Sequence, residues 1–198
     1  MREIRVRMQA LRRLPPVRIA EPCVGIGALR SLFAVGGLEF ESTNAMDVDA
    51  SLSKFWENIA GTSALDLTFG SEAGDVCRIP LCELADAEGC VSGPPCTPWA
   101  PNGKRKGRAD TRANVWESVI DWIIELSDRG VLLFFALEGS KELMSDVDGM
   151  GSHITKTLDK LAVALPFFRC DARLDHLADY WPQVRNATLC FPSPHPRG

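Results

Sequence analysis

The 198-residue sequence has no apolar run of transmembrane length, no secretory leader and no excess of positive charge. The first two absences predict that no segment crosses a membrane and favour an intracellular location. The seven cysteines form no Cys-x-x-Cys pair and the three histidines are scattered, so we expect neither a disulfide framework nor a metal site. The net charge of −4 excludes nucleic-acid binding through bulk charge, so such binding requires a local basic patch.

The composition, 45% hydrophobic and 24% charged, is typical of one globular domain. We expect this domain at residues 17–191, between a basic tail at residues 1–16 and a proline-rich end at residues 192–198. The tail is most simply a solvated segment. A phosphate-contacting arm and an organelle-targeting segment stay open as alternatives.

A strand, a glycine turn and a helix open the domain. Residues 17–20 predict the strand, the turn contains Gly25 and Gly27, and apolar positions at helical spacing follow it. Such glycines allow a tight turn and close approach of a nucleotide, although a plain strand-to-helix turn has the same pattern. Residues 40–46 predict the second strand and residues 49–59 an amphipathic helix. Asp47, at the end of the second strand, is placed to bond ribose hydroxyls.

The most informative stretch is residues 89–108. A short apolar strand, residues 89–92, is followed by two prolines that end it because they lack a backbone donor, so Cys96 is expected at the carboxyl end of a strand. A basic loop follows, and Asp110 is the one acid within residues 97–112. A thiol at a sheet edge beside cationic residues suits nucleophilic attack on a polyanion, because the cations favour the thiolate. A buried cysteine and a solvated turn are the simpler alternative.

The second half of the domain predicts a helix at residues 110–128, a strand at 131–137, a helix at 153–164 and closing strands at 167–174 and 187–191. The run 131–137 is apolar without alternation, which predicts a central parallel strand buried on both faces. It delivers Glu138 to the same sheet edge as Cys96, and a carboxylate there indicates function. The predicted fold is α/β, a mostly parallel sheet with helices on both faces.

Several segments together resemble the cytosine-C5 methyltransferases. Residues 94–99 (Pro-Pro-Cys-Thr-Pro-Trp), the pair at 103–104 (Gly-Lys) and residues 110–112 (Asp-Thr-Arg) are similar to that family's catalytic loop. The Gly-x-Gly turn, residues 74–76 (Gly-Asp-Val), Glu138 and residues 183–185 (Gln-Val-Arg) match further family segments in the same order. The resemblance covers residues 17–191.

The resemblance implies an S-adenosylmethionine-dependent methyltransferase of Rossmann-like fold that methylates C5 of cytosine in DNA through a covalent bond to a cysteine. It implies Cys96, Glu138 and Arg185 as catalytic residues. It implies a cofactor site made of Glu21, Gly25, Ile26, Gly27, Met46, Asp47, Asp75, Val76 and Pro95. It implies nucleic-acid contacts from Thr97, Gly103, Lys104, Arg105, Lys106, Arg108, Arg112 and Gln183.

Three of the departures from the family pattern affect cofactor binding and target recognition. Ala45 stands where the family has its ribose-binding glutamate, Ala187 stands where it has a second arginine, and no target-recognition region follows these segments. We therefore expect weak cofactor binding, strengthened by a carboxylate at position 45, and a second polypeptide that supplies target recognition.

Two other functions stay open. One is a tRNA cytosine-C5 methyltransferase, which suits a small chain without a large recognition region. The other is a degenerate, non-catalytic domain that binds a partner or nucleic acid. A DNA substrate implies a nuclear or nucleoid-associated location, and an organelle stays open as well.

Overall fold

The computed structural model describes residues 16–27, 39–60, 67–101, 106–146, 149–170, 172–176 and 186–189. No helix within these residues is long and apolar enough to cross a membrane. In chain order the helices and strands are β1 Val17–Pro22, β2 Phe40–Asp47, α1 Ser51–Ala60, β3 Leu67–Phe69, β4 Gly89–Ser92, α2 Ala113–Asp128, β5 Phe134–Leu137, α3 His153–Ala164, β6 Arg173–His176 and β7 Asn186–Leu189.

Five strands form one parallel sheet in the order β3-β2-β1-β4-β5, and β6 pairs with β7 as an antiparallel ribbon. The chain crosses from β1 to β2 and β3 in one direction, and from β4 to β5 in the other. Because such crossovers are right-handed, α1 and α2 cover opposite faces of the sheet. The predicted fold class is therefore confirmed, and the strand order reverses between β1 and β4, the position where open α/β sheets bind ligands.

Strand β2 contains a bulge. Thr43 pairs with Ala20 and Met46 with Pro22, so β2 has one residue more than β1 over this stretch. Asn44 has a φ of 48°, a left-handed conformation, and its side-chain amide exchanges two hydrogen bonds with the backbone of Ala85 at 2.9 and 3.0 Å. These bonds stabilise the bulge, which re-aims the strand just before its carboxyl end.

Strand β5 is shorter and more exposed than predicted. It begins at Phe134, because the N–H groups of Val131 and Leu132 donate to the carbonyl of Leu126 at the end of α2. The preceding Leu133 is 68% exposed, and burial alternates along the strand. The prediction of a central strand buried on both faces is wrong: β5 is the last hydrogen-bonded strand of the five, and β7 lies next to it.

The two long helices of the second half agree with the prediction. Helix α3 has the predicted bounds, and α2 begins three residues late because Asp110 closes a 3₁₀ turn at Gly107–Ala109. The helices contact each other, and the Trp116 indole N–H donates to Thr157 Oγ1 at 3.0 Å. The buried face of α2 forms much of the core. The closing strands differ, since β6 begins at Arg173 rather than at residue 167.

Candidate active site

The catalytic pair predicted from the sequence lies at one edge of the sheet. Ser92, the last residue of β4, pairs with Leu137, the last residue of β5, so the segments that follow leave the sheet side by side. The Glu138 N–H donates to the Ser92 carbonyl at 2.9 Å. Glu138 Oε2 lies 3.3 Å from the point where a Cβ at Gly93 would stand, and the Glu138 side chain is exposed. This carboxylate therefore projects beside the chain that leads to Cys96.

Cys96 sits in a tight turn after β4. Its carbonyl accepts hydrogen bonds from the N–H groups of Trp99 at 3.0 Å and Ala100 at 2.9 Å, and the residue is half-buried. Burial raises the pKa of the Cys23 and Cys90 thiols to about 12, so both are protonated at neutral pH. Cys90 is buried within β4, whereas Cys96 is half-buried at the sheet edge, so Cys96 is the more accessible of these two thiols.

The structure describes three cations of the basic loop, Lys106, Arg108 and Arg112. The Arg112 guanidinium makes two side-chain hydrogen bonds to the Asp110 carboxylate, at 2.9 and 2.7 Å, and holds the pKa of that carboxyl well below its usual range. Arg108 Nη2 donates to the Gly151 carbonyl at 3.2 Å. Lys106 is exposed. Two of these three predicted phosphate contacts are therefore engaged within the protein.

The glycine turn after β1 is held by its neighbours. Asp47 Oδ2 accepts from the Gly25 N–H at 3.0 Å, and the Trp56 indole N–H donates to the Gly25 carbonyl at 3.0 Å. Gly25 and Gly27 have φ values of 53° and 72°, which favour glycine. A Cβ at Gly27 would lie 2.0 Å from the Trp56 ring, whereas no atom lies within 4 Å of a Cβ at Gly25. Ile26, between them, is 65% exposed.

The end of β2 presents its acid at Asp47 and not at position 45. Ala45 lies inside the strand, paired with Leu67 and 1% exposed, so a carboxylate at this position would be buried rather than offered to a ligand. Asp47, the last residue of β2, has Oδ1 bonded to the Asp49 N–H at 3.0 Å as well as Oδ2 bonded to Gly25. The adjacent Met46 is buried. Asp47 is thus the acid that this chain presents at the edge.

The other predicted cofactor residues differ in burial and in their hydrogen bonds. Asp75 accepts from the Cys77 N–H at 3.0 Å and caps a 3₁₀ turn, and Val76 is buried in the core. Glu21 is 2% exposed within β1, where the Ser42 hydroxyl donates to its Oε2. Pro95 and Thr97 are half-buried on either side of Cys96. The cofactor roles of these residues stay predictions.

Five predicted site residues lie outside the residues that the structure describes. They are Gly103, Lys104, Arg105, Gln183 and Arg185. Their predicted roles remain predictions.

Sequence reasoning did not identify three residues that shape this edge. Trp56 bonds to Gly25 and packs on Gly27 in the glycine turn, as described above. Ser92, buried at the end of β4, donates from its hydroxyl to the Pro22 carbonyl at 2.5 Å and ties the ends of β1 and β4 together. His153 is buried at the start of α3 against Trp99. Only Trp56 has a signal in the sequence, as an inward position of the predicted helix.

The edge around β1 and β2 fits the adenosine portion of a nucleotide cofactor. It lies at the switch point of the sheet, Gly25 leaves open space, and the two bonds to Asp47 leave lone pairs of its carboxylate for ribose hydroxyls. Within the described residues, no group of three or more histidine, cysteine or acidic side chains is placed to hold a metal ion.

Comparison with known proteins relates this geometry to one family. The family model described as C-5 cytosine-specific DNA methylase matches residues 17–173. The orphan methyltransferase M.Rho11sI of Bacillus phage rho11s is 29% identical over 133 residues, which cover 67% of this chain and 25% of that protein. The chain thus spans about a quarter of the length of this relative.

Solved structures with the same fold include two methyltransferases. S. pombe Dnmt2 methyltransferase gives a TM-score of 0.66 at 11% identity, over 93% of this chain and 51% of that chain. A SAM-dependent O-methyltransferase from Thermotoga maritima gives a TM-score of 0.52 at 16% identity, over 100% of this chain and 66% of that chain. The fold is that of S-adenosylmethionine-dependent methyltransferases, and with the family match it confirms the predicted cofactor.

Proposed function

Because the chain belongs to the family of C-5 cytosine-specific DNA methylases, we propose that it methylates C5 of cytosine in DNA through a covalent bond to Cys96. The observation that carries the proposal is the pairing of β4 with β5. Because their last residues are paired, the Cys96 turn and Glu138 both follow strands that end at the same edge of the sheet. A nucleophile and an acid on neighbouring segments can act on two positions of one flat ring.

The chemistry follows from the properties of cytosine. C5 is a poor nucleophile until a nucleophile adds to C6. The Cys96 thiolate forms the bond to C6, the ring electrons move toward N3, and Glu138 in its acid form gives N3 a proton. S-adenosylmethionine, when bound, would supply a methyl group on a sulfonium sulfur. C5 forms its bond to this methyl carbon as the carbon–sulfur bond breaks, and the sulfur keeps the electron pair as a neutral thioether. Loss of the C5 proton to a base then forms the C5–C6 double bond and expels Cys96 as a thiolate. N3 returns its proton to Glu138, which restores the neutral ring.

Cofactor binding is assigned to the other end of the edge. The open turn at Gly25 would face the cofactor, and Asp47 would hold the ribose hydroxyls through charge-assisted hydrogen bonds. Because Asp47 and the turn are already bonded to each other, the site is organised before the cofactor arrives.

DNA must present the base outside the stack, which costs a few kcal/mol. Lys106 offers a phosphate contact, and phosphate contacts position the duplex without reading its sequence. We propose that target recognition comes from a further region, in this or a second polypeptide. A DNA substrate implies a nuclear or nucleoid-associated location.

Trapping with 5-fluorocytosine tests the covalent step. Fluorine at C5 cannot leave as a cation, so the bond between Cys96 and the ring persists. We expect labelled cofactor and fluorinated duplex DNA to give an adduct that peptide mapping assigns to Cys96. Cys96→Ser should abolish both adduct and methyl transfer, because a hydroxyl is far less ionised than a thiol. Cys82→Ser, at an exposed cysteine, is the matched control and should be fully active.

Three results would contradict the proposal. An adduct on another cysteine, or full activity of Cys96→Ser, would remove Cys96 from the mechanism. An adduct with fluorinated tRNA and none with DNA would replace the substrate. No transfer to DNA or tRNA, with cofactor bound and a recognition region supplied, would indicate a non-catalytic domain.

A further inference from the structure

Three aromatic rings lie in mutual contact beside the catalytic turn. The centroid of the His153 ring is 4.6 Å from that of Trp99 and 5.6 Å from that of Trp116, and the two indoles are 6.3 Å apart. These residues, here the aromatic cluster, are all buried, at 1 to 3% exposure. The interplanar angle between His153 and Trp99 is 36°, so the two rings lie partly face to face.

Each ring of the cluster belongs to a different segment of the active site. Trp99 is in the Cys96 turn, where its N–H donates to the Cys96 carbonyl. Trp116 is in α2, and its ring atom Cζ3 lies 3.2 Å from where a Cβ at Gly139, the residue after Glu138, would stand. His153 begins α3 and contacts both indoles. The cluster therefore joins the Cys96 segment to the Glu138 segment.

The Cys96 turn also contains buried polar atoms that lack partners. Among the described residues, Trp99 Nε1 and Thr97 Oγ1 are buried without a hydrogen-bond partner. A buried polar atom without a partner costs free energy, so these two atoms favour release of the turn. The ring contacts of Trp99 oppose that release, and the imidazole of His153 supplies the nearest of them.

A second contact joins the loop to the same part of α3. Arg108, after the turn, donates to the carbonyl of Gly151, two residues before His153. The Gly107 N–H donates to the Pro98 carbonyl at 2.9 Å and draws the two ends of the loop together. The segment of residues 151–153 thus contacts the loop on both sides of its middle part.

We propose that His153 is a positioning residue for methyl transfer: by stacking on Trp99 it fixes the Cys96 turn relative to Glu138. The catalytic consequence rests on the proposed function, whereas the effect on the turn does not. Misplacing a reacting atom by about 1 Å can cost about a hundredfold in rate, so a ring that sets this distance controls the reaction without touching substrate.

Alkylation of the free protein tests the effect on the turn without any nucleic acid. The full chain, with and without His153→Ala, is treated with iodoacetamide, and peptide mapping follows Cys96 and Cys90. Cys96 is half-buried, whereas Cys90 is 0% exposed in β4 and reports loosening of the whole domain. We expect His153→Ala to raise the alkylation rate of Cys96 at least about threefold while Cys90 stays protected.

The conservative variant His153→Phe keeps an aromatic ring against Trp99 and should restore the wild-type rate at Cys96. An unchanged rate at Cys96 in His153→Ala, an equal rise at Cys90, or a His153→Phe variant that behaves as His153→Ala would each overturn the proposal.

Single-turnover methyl transfer then tests the catalytic consequence. His153→Ala should lower the transfer rate about tenfold or more and change the dissociation constant of the cofactor much less, because Gly25 and Asp47, which are proposed to face the cofactor, lie at the ends of β1 and β2. A normal transfer rate would overturn the proposal. If Cys96→Ser proves fully active, the proposed function fails while the alkylation result still decides the role of His153 in the turn.

Discussion

The two ends of the active-site edge are built differently. At β1 and β2, directional bonds hold the glycine turn: Asp47 and Trp56 bond the backbone of Gly25, and Gly27 packs under the Trp56 ring. At β4 and β5, the Cys96 turn has two backbone bonds of its own, and its Trp99 side chain rests on aromatic rings. Both ends combine hydrogen bonds with packing, but side-chain hydrogen bonds hold the backbone of the first turn, whereas backbone bonds and ring packing hold the second.

This difference indicates which end can move at low cost. A net hydrogen bond contributes about 1 kcal/mol and breaks if its geometry is lost. An aromatic pair contributes about 0.5–1.5 kcal/mol beyond its buried area and tolerates sliding of the rings. The glycine turn is therefore held by directional bonds, whereas the Cys96 turn depends for its position on the rings that contact Trp99, so that removal of one of these rings lets the turn move at low cost.

A carboxylate at position 45, in β2, should have the largest effect, which is a loss of stability. Ala45 is 1% exposed in the sheet, so Ala45→Glu would bury a charge without a partner and destabilise the domain by about 3–5 kcal/mol. We expect a corresponding fall in the denaturant midpoint and no gain in cofactor affinity by calorimetry. This replaces the sequence-based expectation that the same change strengthens cofactor binding.

Asp47→Asn is the companion variant. It keeps the size of the side chain and removes the charge from the group that bonds Gly25. It should weaken cofactor binding by about 1.5–3 kcal/mol, the range for bonds to a charged group, with a smaller effect on stability. Tighter cofactor binding by Ala45→Glu would show that position 45 reaches the ligand and that Asp47 does not fill this role.

Alanine substitutions at Gly25 and Gly27 test how strongly Trp56 restrains the glycine turn. Gly27→Ala forces a Cβ to 2.0 Å from a buried indole that is bonded to Gly25, so we expect a loss of about 2–4 kcal/mol from overpacking and the left-handed φ. Gly25→Ala has the same sign of φ and open space, so it should cost about 1–2 kcal/mol. Urea unfolding compares the two, and equal losses would mean that Trp56 moves aside.

Much of this molecule could be predicted from local sequence. Proline and glycine set the ends of β4 and the turn after β1, and the apolar spacing of residues 113–128 and 153–164 set the long helices. The sequence also predicted that the segments leading to Cys96 and Glu138 leave the sheet at the carboxyl ends of parallel strands, and the pairing of β4 with β5 agrees.

The features that the sequence did not predict depend on contacts between segments that are distant along the chain. The bulge in β2 depends on bonds between Asn44 and Ala85, 41 residues apart, so no local pattern reveals that Ala45 is buried. Strand β5 begins late because the end of α2 captures two of its expected N–H groups. The sequence predicts His153 only as the first residue of a helix, and its contact with Trp99 is formed by the tertiary structure.

The smallest expected effect is on the salt dependence of DNA binding, which we expect to change on loss of a lysine at one end of the edge and not at the other. Lys106, exposed in the basic loop, belongs to the catalytic end, and Lys54, exposed on α1, belongs to the other. If DNA lies over the catalytic end, Lys106→Ala should lower the slope of log K against log salt by about 0.9, the value for one duplex phosphate contact. Lys54→Ala, the matched control, should leave the slope unchanged. Fluorescence anisotropy of a labelled duplex over a salt series measures both, and an equal change in the two variants would contradict binding at the catalytic end.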